Sequence, residues 1–406
     1  MLFLVAFYIC TRTQNSFKLH FRCGLATFVI VKCQKSMKRL LILLSLAMIT
    51  ACNSTGNSTL TERLDALFSA HYPAADAPGT AVLVMKGDEV LFEKCYGLAD
   101  LETCEPITPQ TNFCIASISK QFSAVALLQL EERGLLSMND PLSKFFPEFH
   151  APFYDSITLH HIMSHTSGLP DARPRTDRNF VLYSTDVESC QYLIDLDYLN
   201  FPTGTQYEYI NPTFQLVYQI VERVTDTPFE QYMHDNIFAP AGMDATLYFE
   251  AEREISNPSH GYEFDDEQSC FVECDYGETS FFASKADGGI YTSLRDFAKW
   301  EKALRGTAIL SEESKRKAWT PHIMIPETAD YGYNANTGYG YGWFIQRNPD
   351  QPEVIYHLGD NGGYLNYAGR VPEQEILVVF FANVPQINRI EMADAVYAIL
   401  REEGLM

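Results

Sequence analysis

Asn112-Phe113-Cys114-Ile115-Ala116-Ser117-Ile118-Ser119-Lys120-Gln121-Phe122-Ser123-Ala124 sets a hydroxyl and an amine three residues apart. Behind them Ala124, Val125, Ala126, Leu127, Leu128, Leu130 and Leu135 recur at spacings of three and four, which predicts a helix with Ser117 and Lys120 sharing a face of its first turn. A serine hydroxyl is a weak nucleophile until a base stands beside it, and an amine desolvated against an apolar helix loses enough proton affinity to be that base. The helix start also presents backbone N–H groups to a developing oxyanion. The same spacing recurs at Ser314 and Lys317, but inside Ser311-Glu312-Glu313-Ser314-Lys315-Arg316-Lys317, a charged run that reads as a solvated helix face without function.

Working outward, 406 residues with 46% hydrophobic and 13% aromatic content describe a globular chain with a proper core. The net charge of −22 hides an asymmetry, because residues 1–51 carry seven Lys or Arg and no acid, and the remainder stands at −29. So acidic a body argues against nucleic acid as partner and against electrostatic attachment to anionic lipid. Translation starting at Met37 would explain the beginning: Lys38-Arg39 is a positive n-region, Leu40 to Ile49 a short apolar segment, and Ile49-Thr50-Ala51-Cys52 places small residues before a cysteine. Residues 1–36 then read as a misplaced start and 53–58 as a polar tether. None of the apolar runs here is long enough to span a bilayer.

Six cysteines remain in the body: Cys95, Cys104, Cys114, Cys190, Cys270 and Cys274, without metal-type spacing. Cys270 and Cys274, if on one strand, stand roughly 13 Å apart and cannot bridge. Cys95 and Cys104 flank a bend at Gly97 to Glu102 and are the pair that could.

Leu60 to His71 has helical periodicity, and Thr80 to Met85 and Glu89 to Gly97 flank a Gly87-Asp88 turn as a hairpin. From Asp140 to about Leu304 the segments are mostly helical, apart from a small hairpin at Tyr262 to Cys274. Strand patterns return at Glu353 to His357, Tyr364 to Val371 and Glu375 to Phe381, before a last helix at Ile387 to Arg401. The expected fold is therefore α+β: an antiparallel sheet built from both chain ends (59–112 and 330–406), flanked by helices, with a large helical part (113–329) inserted.

Two further patterns stand out. Tyr207-Glu208-Tyr209-Ile210-Asn211-Pro212 follows the turn Pro202-Thr203-Gly204-Thr205 and opens a helix from Thr213 to Val224, making a rigid corner that holds a phenol and an amide toward a cleft. His357-Leu358-Gly359-Asp360 closes a strand and is the one His-x-Gly in the chain.

Taken in order, Ser117-Ile118-Ser119-Lys120, Tyr209-Ile210-Asn211 and His357-Leu358-Gly359 resemble the three motifs of the serine β-lactamase and penicillin-binding-protein-like family. The nearest branch is that of class C β-lactamases, serine DD-peptidases, D-aminopeptidases and family VIII esterases. The connectors Ile157 to Pro170, Pro240-Ala241-Gly242-Met243, Ala286-Asp287-Gly288-Gly289-Ile290-Tyr291 and Tyr339-Gly340-Tyr341-Gly342-Trp343 extend the resemblance over nearly the whole mature chain. It implies that Ser117 is acylated, that Lys120 and Tyr209 share general-base and general-acid work, and that Asn211 binds the substrate's amide. It places the N–H groups of Ser117 and Asp360 in the oxyanion hole, and gives His357 and Gly359 to substrate binding. Many members have lysine where His357 stands. A histidine titrating near ~6.5 would weaken carboxylate binding as pH rises from about 6 to 8, which favours neutral esters or amides over β-lactams.

The expected activity is hydrolysis of a small ester, amide or D-amino-acid-containing peptide through an acyl-Ser117 intermediate. β-Lactamase or DD-carboxypeptidase activity is the alternative within the family, and a sensor that stays acylated is the alternative outside it. No cofactor is implied. The leader resembles a bacterial lipoprotein signal, which implies lipidation at Cys52 and a place in the bacterial envelope facing the periplasm or exterior. His161 and His165, four apart, have a zinc-compatible spacing but no glutamate between them and read as structural. The run Tyr331 to Tyr339 offers an aromatic substrate rim.

Overall fold

A computed structural model describes residues 10–13, 16–23, 26–30 and 58–406, except 175, 178–179, 181–182, 250–254, 275–283 and 327–334. Met37, the segment ending at Cys52, most of the tether, and Tyr331 and Tyr333 lie outside the described residues. The chain divides into units Met1–Thr59 and Leu60–Met406. In the first, β1 (Cys10–Thr13), β2 (Ser16–Cys23) and β3 (Ala26–Ile30) form a small antiparallel sheet.

The second unit is organised on an eight-stranded antiparallel sheet. Its strands are β4 (Thr80–Lys86), β5 (Glu89–Tyr96), β6 (Ile323–Met324), β7 (Thr337–Tyr339), β8 (Phe344–Gln346), β9 (Val354–Asn361), β10 (Tyr364–Val371) and β11 (Ile376–Ala382), in the order β6-β7-β8-β9-β10-β11-β4-β5. The α+β expectation, a sheet built from both chain ends, is met: β4 pairs directly with β11 from Thr80↔Ala382 to Lys86↔Ile376. The sheet reaches back to Ile323, however, ahead of the boundary expected at 330.

The helices that matter for the site are α1 (Leu60–Ser69), α2 (Lys120–Glu132), α3 (Leu159–Met163), α4 (Asp186–Gln191), α5 (Asn211–Thr225), α6 (Leu294–Arg305), α7 (Glu312–Ala318) and α8 (Arg389–Glu402). Both sheet faces are covered, so the central strands are continuously apolar. On β4 and β11, Val82, Val84, Val378 and Phe380 join Leu64 and Phe68 of α1 and Val396 and Leu400 of α8 in one core. Their alternates Ala81, Leu83, Val379 and Phe381 join Phe122 of α2 and Phe297 and Trp300 of α6 in the other.

Two local expectations are corrected. His357 is not at a strand end: β9 continues through Asn361, because Leu358 to Asn361 pair with Tyr364 to Tyr367 of β10 on the other side of a tight turn. The charged run at 311–317 is not solvated throughout. Ser314 and Lys315 of α7 are buried, Lys315 Nζ donates to the carbonyls of Leu304 (3.1 Å) and Gly306 (3.0 Å), and Lys317 binds Glu131 Oε2 at 3.1 Å. The bend between Cys95 and Cys104 leaves both as free thiols, and Cys270, at the start of its hairpin strand Cys270–Glu273, is an exposed free thiol. No helix among the described residues is long and apolar enough to cross a membrane.

Candidate active site

Ser117 sits on a turn clamped from two sides. Phe113 and Cys114 pair with Thr292 and Tyr291, and Ile115 N–H donates to Ile290 O (3.0 Å), so the chain enters the site as the edge of a short sheet. It then breaks at Ala116, a non-glycine residue held at φ 47°, and closes a 3₁₀ turn over Ala116–Ser119 before α2 begins at Lys120. A left-handed alanine is costly and persists only where its surroundings over-determine it. Here they do. On the far side β9 presses so close that a Cβ on Gly359 would stand 2.1 Å from Ile115 O, and Asn366 Nδ2 on β10 donates to Cys114 O at 2.9 Å.

Lys120 is fully buried and its three protons have three acceptors: Ser117 Oγ at 3.0 Å, Asn211 Oδ1 at 3.0 Å and the Asp287 carbonyl at 2.7 Å. Burial pushes the amine down to about 8; Asp287 opposes that shift and Arg173 adds to it. This count fixes the direction of chemistry. When the ammonium loses a proton, the two remaining N–H groups stay on Asn211 Oδ1 and the Asp287 carbonyl, which can only accept. The lone pair is then left facing the hydroxyl of Ser117, which can donate.

The Tyr209 ring lies under the amine, with Lys120 Nζ 5.1 Å from its centroid. Tyr209 and Asn211 arrive together because Asn211 opens α5 immediately after the extended Ile210. Behind Tyr209 stands His165, whose ring centroid is 4.3 Å from that of the tyrosine. His165 is off α3, which ends at Met163, and has φ 56°; its Nδ1 accepts from Ile210 N–H at 3.4 Å, and burial with the nearby Lys120 keeps it neutral well below its ordinary value. His161 remains on the helix with Nδ1 on Thr158. The two therefore do not present a zinc pair, and among the described residues no group of three or more His, Cys, Asp or Glu is arranged to hold a metal.

His357 differs most from expectation. Its Nδ1 lies 2.6 Å from Leu358 O, an acceptor, so Nδ1 carries the proton and Nε2 accepts from Tyr339 OH at 3.0 Å. Buried and close to Lys120, the imidazole is pushed down to about 3. It carries no charge between pH 6 and 8, and the expected titrating carboxylate contact is replaced by a neutral prop for Tyr339. Tyr339 in turn is fully buried, its ring centroid 4.8 Å from that of His165, and so is no part of an exposed rim. Gly359 acts by the absence of a side chain. The Asp360 carboxylate is exposed and paired with Arg389 (3.2 Å), whose Nη1 also donates to Gly359 O at 2.7 Å.

Against this geometry a family model described as beta-lactamase matches residues 64–402. The chain belongs to the beta-lactamase family. Among curated relatives, a penicillin-binding protein of Bacillus subtilis strain 168 is 26% identical over 327 residues, covering 77% of this chain and 69% of its own. Among solved structures, an octameric penicillin-binding protein homologue from Pyrococcus abyssi superposes with TM-score 0.74 at 28% identity, covering 84% of this chain and 77% of that one. A D-amino acid amidase from Ochrobactrum anthropi SV3, at 23% identity and TM-score 0.71, shares the fold over 85% of this chain and 100% of that one. The chain is thus a serine-hydrolase-type enzyme related to β-lactamases and penicillin-binding proteins.

The structure brings Ser117, Lys120, Tyr209 and Asn211 of this beta-lactamase-family chain together, and seats His357 and Gly359 behind and beside them. Sequence reading missed Asp287, Asp186 and Asn366, and read His165 as structural without its contact to Tyr209. Asp287 lay within a quoted connector, and Asn366 closes Tyr364-Leu365-Asn366, a chance copy of the tyrosine motif. Asp186 of α4 accepts from the N–H groups of Lys285 (2.6 Å) and Ala286 (3.1 Å) and so fixes the segment whose next carbonyl holds Lys120. Its partners are a hundred residues away, which no local pattern reveals.

Proposed function

We propose that the chain hydrolyses a small ester, amide or short peptide through an acyl-Ser117 intermediate. The observation that carries this is the 3.0 Å contact of a buried, easily neutralised Lys120 amine with Ser117 Oγ while Asn211 and Asp287 hold its other protons. Lys120 takes the hydroxyl proton as Ser117 Oγ attacks the carbonyl. Tyr209, beneath the amine, returns a proton to the leaving group, and water then releases the acyl group by the reverse relay. The oxyanion falls to the N–H groups of Ser117 and Asp360, the first of which has no acceptor among the described residues. Ser117→Ala should abolish turnover and labelling by a fluorophosphonate, while Ser314→Ala should retain labelling; label persisting on Ser117→Ala would remove the assignment. An acyl-Ser117 adduct that forms from an ester or amide and does not hydrolyse within minutes would favour the acylated sensor.

The same proposal places the mature chain at the bacterial envelope on a lipid at Cys52, supported by the leader pattern and by its bacterial relatives. Cys52→Ser should release the protein from sedimented membranes; continued sedimentation would refute the anchor.

A further inference from the structure

Lys120 can act as a base on Ser117 only while its other protons are held elsewhere, and one of the two holders is a main-chain oxygen. Asn211 Oδ1 is set by the helix that Asn211 opens. The Asp287 carbonyl, 2.7 Å from Lys120 Nζ, has no such support, because residues 284–289 lie in neither helix nor strand. That oxygen is only as fixed as the turn that carries it.

Asp186 supplies the fixing. It is 1% exposed in the first turn of α4, and it accepts Lys285 N–H at Oδ2 (2.6 Å) and Ala286 N–H at Oδ1 (3.1 Å). Both carboxylate oxygens thus grip consecutive amides immediately before Asp287. An ionised carboxylate buried this deeply is costly unless donors fill it, and the two N–H groups do. A neutral amide could not take its place, since its nitrogen would face one of these N–H groups donor to donor. The turn's remaining ties run to the helix start that carries Lys120: Ser123 Oγ donates to Ala286 O at 2.5 Å, and Ser119 Oγ accepts from Ile290 N–H at 3.2 Å. Gly289 N–H closes the turn on Lys285 O at 3.1 Å. Asp186 is itself held by the helix cap beside it, where Thr185 Oγ1 accepts from Glu188 N–H at 3.2 Å and the Glu188 carboxylate accepts from Thr185 N–H at 2.9 Å.

We propose that Asp186 is a positioning residue for acyl transfer: by gripping the turn at 285–287 it keeps the Asp287 carbonyl on Lys120 and so directs the amine's lone pair at Ser117 Oγ. This rests on the acyl-Ser117 reading above. The carbonyl also favours the ammonium over the amine, because it can only accept. If it withdraws, Lys120 gives up its proton at lower pH, but its lone pair is no longer aimed. Loss of the Asp186 charge moves the proton in the same direction. The other titratable or charged neighbours stay in place: Asp287, Arg173, His165 and His357 around Lys120, and Asp287, Cys190, Tyr218 and Tyr248 around Asp186.

The test measures kcat and KM for phenyl acetate against pH in the wild type, Asp186→Asn and Glu230→Gln. Glu230 pairs with the Lys285 side chain and leaves the main chain of the turn alone. In Asp186→Asn the plateau of kcat should fall about tenfold or more with KM changed less than about threefold, and the ascending limb of kcat/KM should move to lower pH by about half a unit or more. A merely structural loss lowers the plateau and leaves the limb where it was. A limb unmoved in Asp186→Asn, or moved equally in Glu230→Gln, overturns the proposal. Should Asp186→Asn not fold, hydrogen exchange of the wild type decides: the Lys285 and Ala286 amides should exchange about a hundredfold or more slower than an unprotected chain, and unprotected exchange overturns the grip. A wild type that takes the fluorophosphonate and turns over ester but fails these tests sinks only the role of Asp186. A wild type that neither labels nor turns over sinks the acyl-Ser117 reading and this inference with it.

Discussion

At the scale of single residues, burial decides which groups carry charge. Lys120, pushed down to about 8 mainly by desolvation, must be neutral to accept the Ser117 proton. Activity on a substrate without ionisable groups should therefore rise about tenfold per pH unit below that value and level off above it, the ascending limb reporting the free enzyme when kcat/KM is plotted. A limb centred near 6.5 would implicate a histidine instead. Lys120→Arg, whose guanidinium stays protonated, should cost on the order of a thousandfold in kcat/KM without flattening into a lower-pH optimum. Ser117 and Lys120 were legible as a pair because their side chains lie one helical turn apart, where local sequence dictates geometry. His357 was legible in place but not in state, since its acidity depends on burial, Lys120, the Leu358 carbonyl and Arg389, and Lys120 and Arg389 are remote in the chain.

At the scale of elements, the site exists because a strand and a turn meet without a side chain between them. A methyl on Gly359 would stand 2.1 Å from Ile115 O, and the opposing group is backbone, which cannot swing aside. Gly359→Ala should therefore displace the Ala116–Ser119 turn, destabilise the protein by about 1–3 kcal/mol and lower kcat/KM at least a hundredfold. Wild-type kinetics in that variant would show that β9 does not brace the nucleophile. The long apolar strands and the helices near Leu60, Thr213 and Ile387 were readable from periodicity. β7 and β8 were not, because strands of three residues each carry no period to read and are held by the pairing of Tyr339 with Phe344 and of Phe344 with Tyr356. The join of β4 to β11 was legible as a sheet built from both chain ends but not in its register, because pairing between the two ends of the chain leaves no local pattern.

For the whole molecule, neutral buried imidazoles set the response to acid. His165 and His357 are both depressed by burial and by Lys120, His357 to about 3. In the unfolded chain each takes up a proton as pH falls through about 6.5, while the folded protein does not. The unfolded state then binds more protons, so the stability these residues contribute is complete above about 6.5 and is lost progressively as pH falls toward the folded value. Asp186 acts in the opposite sense, because burial and the nearby Asp287 raise its pKa and let the folded state gain a proton early, and it offsets part of the loss. His161 and His322, both pushed down to about 4 by burial, and His160, lowered by burial, act in the same sense as His165 and His357. The net slope between about pH 6 and 4.5 should therefore be that of two to four protons, roughly 2.7–5.4 kcal/mol per pH unit, by urea unfolding at fixed ionic strength. His165→Gln, wherever its own cost places the absolute stability, should remove about one proton from that slope. Asp186→Asn should steepen it. A stability that is flat or rising on acidification through this window, or a slope unchanged by His165→Gln, would mean that the imidazole beneath Tyr209 is already charged in the folded enzyme, and with it that Lys120 shares its pocket with a cation and has even less hold on its proton than burial alone dictates.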